Sequence, residues 1–486
     1  MNDALFQNGS GTLTKSVCID APHTHTHTHT THSIHRCKKP TELYEKERYE
    51  SEFAPRLRAY LTETETFLRS ATKGLDTASQ ENAVAIVLTC ATYSLRGVQW
   101  ADESTALSAT ELLNAAALLS GFPVHVFVMN TLPQVLSAIE GSLHPLLQDM
   151  AESKSLALSI YTSRGETQPR DGECTEANTG TAHTLQERVD QLCFAWLVTT
   201  FVQGRDLSRT DFCIRRPSNT EKPSLDTVTV AQFAPALACR LVLRNTQDTA
   251  LRRMGALLLR HCARTLTSVE LNWCLPELER TLVHSFNLRD DADVLHTLME
   301  AALAVGRTTK NAELQDMLVS EWVKHTGFVS SSAASTGADT LAVEQAYFRA
   351  GLGFVKLAGD RAAMNLRELV RTATSQYATF AVGAKEGQIR LAHDMLDLLN
   401  YLMERFPMLM RCYRIRVLKA LCTTFTCCFA DTKRGAHVAT EDVLATAQTL
   451  ASCCTEEQRK ELAGVLDGFP ELEPLLAAVQ KPLTVD

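Results

Sequence analysis

Residues 389–429 read IRLAHDMLDLLNYLMERFPMLMRCYRIRVLKALCTTFTCCF. In the first half, Ile389, Ala392, Leu396, Leu399, Met403 and Phe406 recur at intervals of three and four. That spacing places them on one face of an α-helix. Pro407 follows at once, and its missing N–H and the extended geometry it imposes on Phe406 end the helix there. Beyond it, Ile415, Leu418, Cys422, Phe425 and Phe429 restart the pattern. Two long helices joined by almost no loop are expected to fold back on each other as an antiparallel pair.

The same period extends outward along the second half of the chain. Apolar faces recur at 249–262 (Leu251, Met254, Leu258, Cys262), 291–305, 312–325 (Leu314, Leu318, Trp322), 340–357 (Tyr347, Phe354), 361–382 and 441–453. Thr267-Ser-Val-Glu270 and Thr455-Glu-Glu-Gln458 have the form of capping boxes, in which each side chain satisfies a free backbone N–H of the other residue. Gly468 and Pro470 mark the end of the second of these helices. Helices come about every 20 residues, so a pair takes roughly 40, which is the HEAT or armadillo period. The expected fold is all-α, an α-solenoid of degenerate HEAT/armadillo-like antiparallel helix pairs.

Composition agrees. The chain has 486 residues, 45% of them hydrophobic but only 6% aromatic, with leucine and alanine dominant as helices prefer. The length exceeds one compact core and implies two or three domains or an extended array. A net charge of -8 argues against broad nucleic-acid binding. The 15 cysteines include no CxxC pair, and several (Cys262, Cys274, Cys422) sit where a helix core would use them as small apolar residues. Reduced thiols in the cytoplasm or nucleus are expected.

The organisation reads as a disordered Ser/Thr/His-rich tail over 1–40, a helical region over 41–203 with a polar loop at 164–184, a loop or linker at 204–227, and the repeat array over 228–486. The tail contains HTHTHTHTTHSIH, with His23, His25, His27, His29, His32 and His35. Clustered imidazoles can bind metal, but a flexible tract has nothing to fix the geometry, and alternating His-Thr is what a translated dinucleotide repeat spells. No secretory signal is read at the N-terminus. The most membrane-like run, Ala115–Met129, is interrupted by Gly121, Pro123 and His125 and falls short of the roughly 18 apolar residues a span needs.

No catalytic motif is found: no GxxxxGK[ST], no GxSxG and no HExxH. Gly351-Leu-Gly353 lacks the third glycine and the strand of a dinucleotide fingerprint and falls inside a helical pattern. His261, His284, His296 and His393 are isolated. Cys427-Cys428 and Cys453-Cys454 are adjacent thiols that cannot both face one side of a helix. No cofactor or metal is expected, and no enzyme. The main surface feature is the basic run Arg411, Arg414, Arg416 and Lys419 beside Phe406 and Pro407. It can be an ordinary solvated face, or a rim that meets an acidic partner and adds on-rate and selectivity.

Four segments carry a family resemblance: LVLRNTQDTALRRMGALLLRHCARTLTSVELNW, LERTLVHSFNLRDDADVLHTLMEAAL, EQAYFRAGLGFVKLAGDRAAMNLRELVRTATSQYATF and LLNYLMERFPMLMRCYRIRVLKALCTTF. Together they resemble the C-terminal half of the Tel-two-interacting protein two family. Particular echoes are the helix from Gly255 to His261, the Phe406-Pro407 break followed by Arg411-Cys412, and Val417 to Leu421. The similarity spans about 240–480; the N-terminal half matches only in being helical. The resemblance implies an α-solenoid without catalytic residues. It also implies a TTT-complex subunit, partnered by the Tti-one and Tel-two counterparts and acting with the Hsp-ninety machinery. Such a subunit supports the stability and assembly of phosphatidylinositol 3-kinase-related kinases, and through them telomere maintenance. Direct contact with membrane or nucleic acid is not expected. The alternative is another helical-repeat adaptor, such as a transport receptor or a phosphatase regulatory subunit.

Overall fold

The computed structural model describes residues 54–70, 79–95, 101–162, 185–215, 227–244, 249–288, 290–332, 340–381, 386–430 and 440–481. The His-Thr tract, the 164–184 loop and the side chains of Cys427 and Cys428 lie outside the described residues. What is described is mostly helix, so the all-α expectation holds. Contacts divide the chain into two compact units, one ending at Leu278 and the other starting at Glu279.

The first unit contains α1 (Ala54–Ser70), α2 (Ser79–Tyr93), α3 (Glu103–Leu119), α4 (Val124–Thr162) and α5 (Leu185–Phe201), followed by α6 (Val230–Arg244), α7 (Thr249–Thr265) and the short α8 (Ser268–Asn272). The apolar run at Ala115–Met129 is split: α3 and α4 meet at 91° across the intervening turn, and no single described helix is long and apolar enough to cross a membrane. α6 and α7 form the closest pair. Gly255 permits this, because a β-carbon there would stand 2.7 Å from Leu241 Cβ and 3.1 Å from the Ala238 carbonyl. The Thr267–Glu270 capping box forms as expected, but its helix stops at Asn272, and a new one, α9 (Leu275–Ser285), begins after Trp273 and Cys274.

The segment 204–227 is not the boundary the sequence suggested. Its ends are ordered: Gly204–Ser208 is a 3₁₀ turn, and β1 (Cys213–Arg215) pairs antiparallel with β2 (Thr227–Thr229), Ile214 opposite Val228. Phe212 and Ile214 are buried, and β1 lies against α4. Helices on either side of the segment pack together. α5 lies on α7, and the rings of Phe194 and Phe233 meet edge to face at 5.1 Å. A polar composition concealed three apolar anchors, Phe212, Ile214 and Val228.

The second unit is built from α10 (Ala292–Thr309), α11 (Ala312–Ser332), α12 (Thr340–Ala358), α13 (Leu366–Ala381), α14 (Glu386–Arg405), the single-turn α15 (Pro407–Met410), α16 (Arg414–Ala430), α17 (Thr440–Cys453), α18 (Glu456–Leu466) and α19 (Glu473–Gln480). Alternate helices are neighbours. α10, α12, α14, α17 and α19 follow one another in one layer, and α11, α13, α16 and α18 in a second. Helices within a layer run parallel. Asp316 near the start of α11 meets Arg361 just before α13 at 2.9 Å, and further along Thr326 meets Thr372 at 3.4 Å, at sequence separations of 45 and 46. Arg349–Asp394 and Lys356–Tyr401 repeat that stagger between α12 and α14. Neighbours within a layer are therefore offset by slightly more than the roughly 40 residues read from spacing.

The pairing is also out of phase with expectation. α14 and α16, the two halves of 389–429, are not each other's main partners. α14 packs on α13, α12 and α17, while α16 packs on α13 and α17. The cross-layer pairs are α11 with α12, α13 with α14, α16 with α17 and α18 with α19. The cause is the corner. Phe406 leaves the helix with φ -127° and ψ 49°, and Pro407 then occupies the first position of a new helical turn, where its missing N–H costs nothing. The chain stays helical through α15 and a 3₁₀ turn at Arg411–Tyr413, and this carries α16 one position along the array.

The core of this unit is aromatic where α11 meets α12. Trp322 Nε1 donates to the Tyr347 carbonyl at 3.0 Å, and the Tyr347 hydroxyl donates back to the Trp322 carbonyl. Phe286 and Phe348 pack on the pair, and Phe354 and Phe380 pack on them in turn, all fully buried. The Gly351-Leu-Gly353 stretch has a packing role: a β-carbon at 351 would fall 2.2 Å from Trp322 Cζ2.

Two substitutions test this packing. Gly351→Ala should cost about 1–3 kcal/mol by overpacking and lower the thermal midpoint; an unchanged midpoint would place the Trp322 ring elsewhere. Leu399, fully buried in α14, should not tolerate aspartate. A charge there without a partner costs more than about 4 kcal/mol, so Leu399→Asp should abolish recovery of folded protein. Wild-type yield and midpoint would show the face of α14 to be misassigned.

Candidate functional site

In the second unit the connections from first-layer to second-layer helices fall at 310–311, 359–365, 406–413 and 454–455. Arginines tie these corners together. Arg361 bonds Asp316 and Gln315, and Gln315 Nε2 in turn donates to the Gly306 carbonyl at 2.8 Å. Arg405 reaches back to Asp360 at 2.7 Å. Arg411 Nε donates to the carbonyl of Cys453, the last residue of α17. Arg414 Nε reaches Glu461 of α18 at 3.2 Å, and its Nη1 donates to the Arg411 carbonyl at 2.8 Å.

These contacts sort the expected partner-binding residues. Phe406 is buried and serves the core. Arg411 and Arg414 are half-buried and committed to the fold. A cation at the C-terminus of α17 meets the negative end of the helix dipole, worth about 0.3–1 kcal/mol. The partly exposed Arg414–Glu461 pair adds a similar amount. Pro407, Arg416 and Lys419 remain exposed. Met408 and Leu409, which the sequence reading passed over, are exposed beside them. Their signal was the helix restart itself: with Pro407 at the first helical position, the next two residues point outward before Met410 turns in.

The same corner explains the paired thiols. Both Cys453 and Cys454 are buried, although helical periodicity predicts only one. α17 ends at Cys453, so Cys454 follows a different path before the cap at Thr455, whose capping box with Gln458 forms as expected. Burial pushes the Cys453 thiol up to about 11; neighbouring Cys454 adds to the shift and Arg411 opposes it. Burial likewise raises Cys454 against the pull of Arg414 and Arg411. Both are protonated and unreactive at neutral pH.

The isolated histidines find structural neighbours. His393 Nδ1 lies 3.3 Å from Asp442, and His296 lies 3.8 Å from Glu300 one turn on. Burial lowers the His261 pKa, which keeps the ring neutral at physiological pH. Among the described residues no three His, Cys, Asp or Glu side chains are placed to hold a metal ion. Between α11 and α13 runs an open groove of about 770 Å³, with Lys324 on one wall and Arg371 on the other.

No family model matches the chain, and no curated protein is similar to it. Among solved structures, an engineered protein aligns over 88% of this chain and 99% of its own, at 11% identity and a TM-score of 0.35. A likeness that loose defines neither fold nor function.

The Arg414–Glu461 pair can be read by charge exchange. Glu461→Arg should lower stability by up to about 1 kcal/mol, and adding Arg414→Glu should restore most of it. Equal losses in the single and double variants would mean that the pair contributes nothing.

Proposed function

We propose that this chain is a non-catalytic scaffold, an α-solenoid of degenerate HEAT/armadillo-like helix pairs, acting as an adaptor subunit of the TTT type. The observation that carries the scaffold reading is the uniform stagger of the second unit. Layer neighbours meet at separations of 45 to 50 residues, corner after corner. Stacked pairs of this kind expose long surfaces relative to their core, which suits them to hold other extended helical proteins. The TTT assignment rests on the four segments quoted above and on the order of helices they predict.

On this reading the partners are the Tti-one and Tel-two counterparts. The Hsp-ninety machinery and the phosphatidylinositol 3-kinase-related kinases are engaged through them, in cytoplasm and nucleus. The exposed part of the Phe406 corner, Pro407 with Arg416 and Lys419, is proposed as part of the contact surface. The same layered packing would serve a transport receptor or a phosphatase regulatory subunit, and the captured partners distinguish these.

Affinity purification of the tagged full chain with mass spectrometry should recover both TTT counterparts. Depletion should lower several of these kinases together with no fall in their mRNA, because an unassembled client loses a stabilising partner and is degraded. Kinase levels that stay unchanged after depletion would overturn the TTT reading. Recovery of importin cargo or a phosphatase core instead would select the alternative.

A further inference from the structure

Two neighbouring helices of the second layer present the same order of chemistry to solvent. At the corner before α13, Met364 is 87% exposed, and Arg367, Arg371 and Ser375 follow on the exposed side of the helix. At the next corner Met408 and Leu409 are 65% and 47% exposed, and Arg416, Lys419 and Thr423 follow. Because the chain is helical from Pro407 almost without interruption to Ala430, the second set forms one continuous stripe.

α13 and α16 lie side by side, and their corners are joined by the Arg405–Asp360 bridge at 2.7 Å. The helices that lead into those corners, α12 and α14, run parallel. The two stripes therefore run the same way, methionine beside methionine and cation beside cation. Acid is nearly absent from them. α16 contains no acidic residue, and the single one in α13, Glu368, is half-buried and engages Arg371 at 2.7 Å. The side chains of Arg367, Arg416 and Lys419 take no partner among the described residues. On a chain of net charge -8, this is a locally positive face with an apolar end.

We propose that this two-helix face docks an acidic amphipathic helix of a partner protein. Its apolar side chains would seat on Met364, Met408 and Leu409, and its carboxylates would lie over Arg367, Arg416 and Lys419. Methionine suits the apolar end because its unbranched thioether adapts to varied side chains. A helix laid across a helical surface uses anchors one turn apart, and the cations select an acidic occupant and speed its arrival. Nucleic acid fits less well, because a chain of net charge -8 lacks the basic balance such partners require. The inference rests on the scaffold reading and names the chemistry of the partner that scaffold holds.

The test uses the purified full chain and a fluorescein-labelled 18-residue model helix, leucine along one face and glutamate elsewhere. Fluorescence polarisation at low salt should show saturable binding. A version with lysine in place of glutamate should not bind. Arg416→Glu with Lys419→Glu should weaken binding about tenfold or more, and Met408→Ser with Leu409→Ser should also weaken it. Arg367→Glu, on the other helix, provides an independent variant, and circular dichroism verifies that each is folded. Absent binding, equal affinity in all folded variants, or preference for single-stranded RNA or phosphatidylserine vesicles would overturn the proposal. Peptide binding that persists while kinase levels ignore depletion would remove the TTT reading alone. Co-purification of the TTT counterparts without peptide binding would remove this face alone.

Discussion

Trp322 occupies the space where any residue but glycine at position 351 would put its β-carbon. The rest of the second unit is arranged around that close approach. The indole and the Tyr347 phenol each donate to the other's backbone carbonyl, so two large rings are buried without an unpaired polar atom between them. The exchange fixes α11 against α12 in rotation and in register. α12 in turn lies between α10 and α14 in its own layer. Once one cross-layer pair is fixed, the parallel stagger of its neighbours follows from packing like faces on like faces.

Along the corners, charge has been divided between holding the array and facing solvent. Arg361, Arg405, Arg411 and Arg414 each bind groups contributed by a neighbouring corner or helix. Their guanidinium groups can reach carboxylates and carbonyls at once, which lysine cannot do in the same geometry. Arg367 and Arg416 sit in the first turn of α13 and α16 and Lys419 one turn further, on the side away from the neighbouring layer, and all three are left to solvent. Sequence proximity did not separate these groups: Arg414 and Arg416 are two positions apart and have different roles.

Much of the helical framework was legible without coordinates. The faces of α7, α10, α12, α14 and α17 follow from apolar spacing, and both capping boxes formed where their residues predicted. The candidate site was legible only in part. Its location at the Phe406–Pro407 break was visible, but Phe406 proved to be core and two of the four cations proved to be structural. Met408 and Leu409 follow from the helix restart at Pro407 only once that proline is placed at the first helical position, since apolar spacing alone does not separate exposed from buried residues in a single turn.

By itself the sequence determined that the described chain is helical, where most helices begin and end, and which side of each is apolar. Those properties depend on residues within a few positions of one another, through backbone geometry, capping and the 3.6-residue period. Tertiary structure alone decided that α14 pairs with α13 and not with α16, that the contacts divide at Leu278, and that Cys213–Arg215 pairs with Thr227–Thr229 as an ordered anchor. It also decided which arginines remain free. The reason is physical: an apolar stripe specifies that a face must be covered but not by which neighbour. That choice is made by shape over separations of 42 to 50 residues, by one missing β-carbon at Gly351, and by a proline that starts a helix as readily as it ends one.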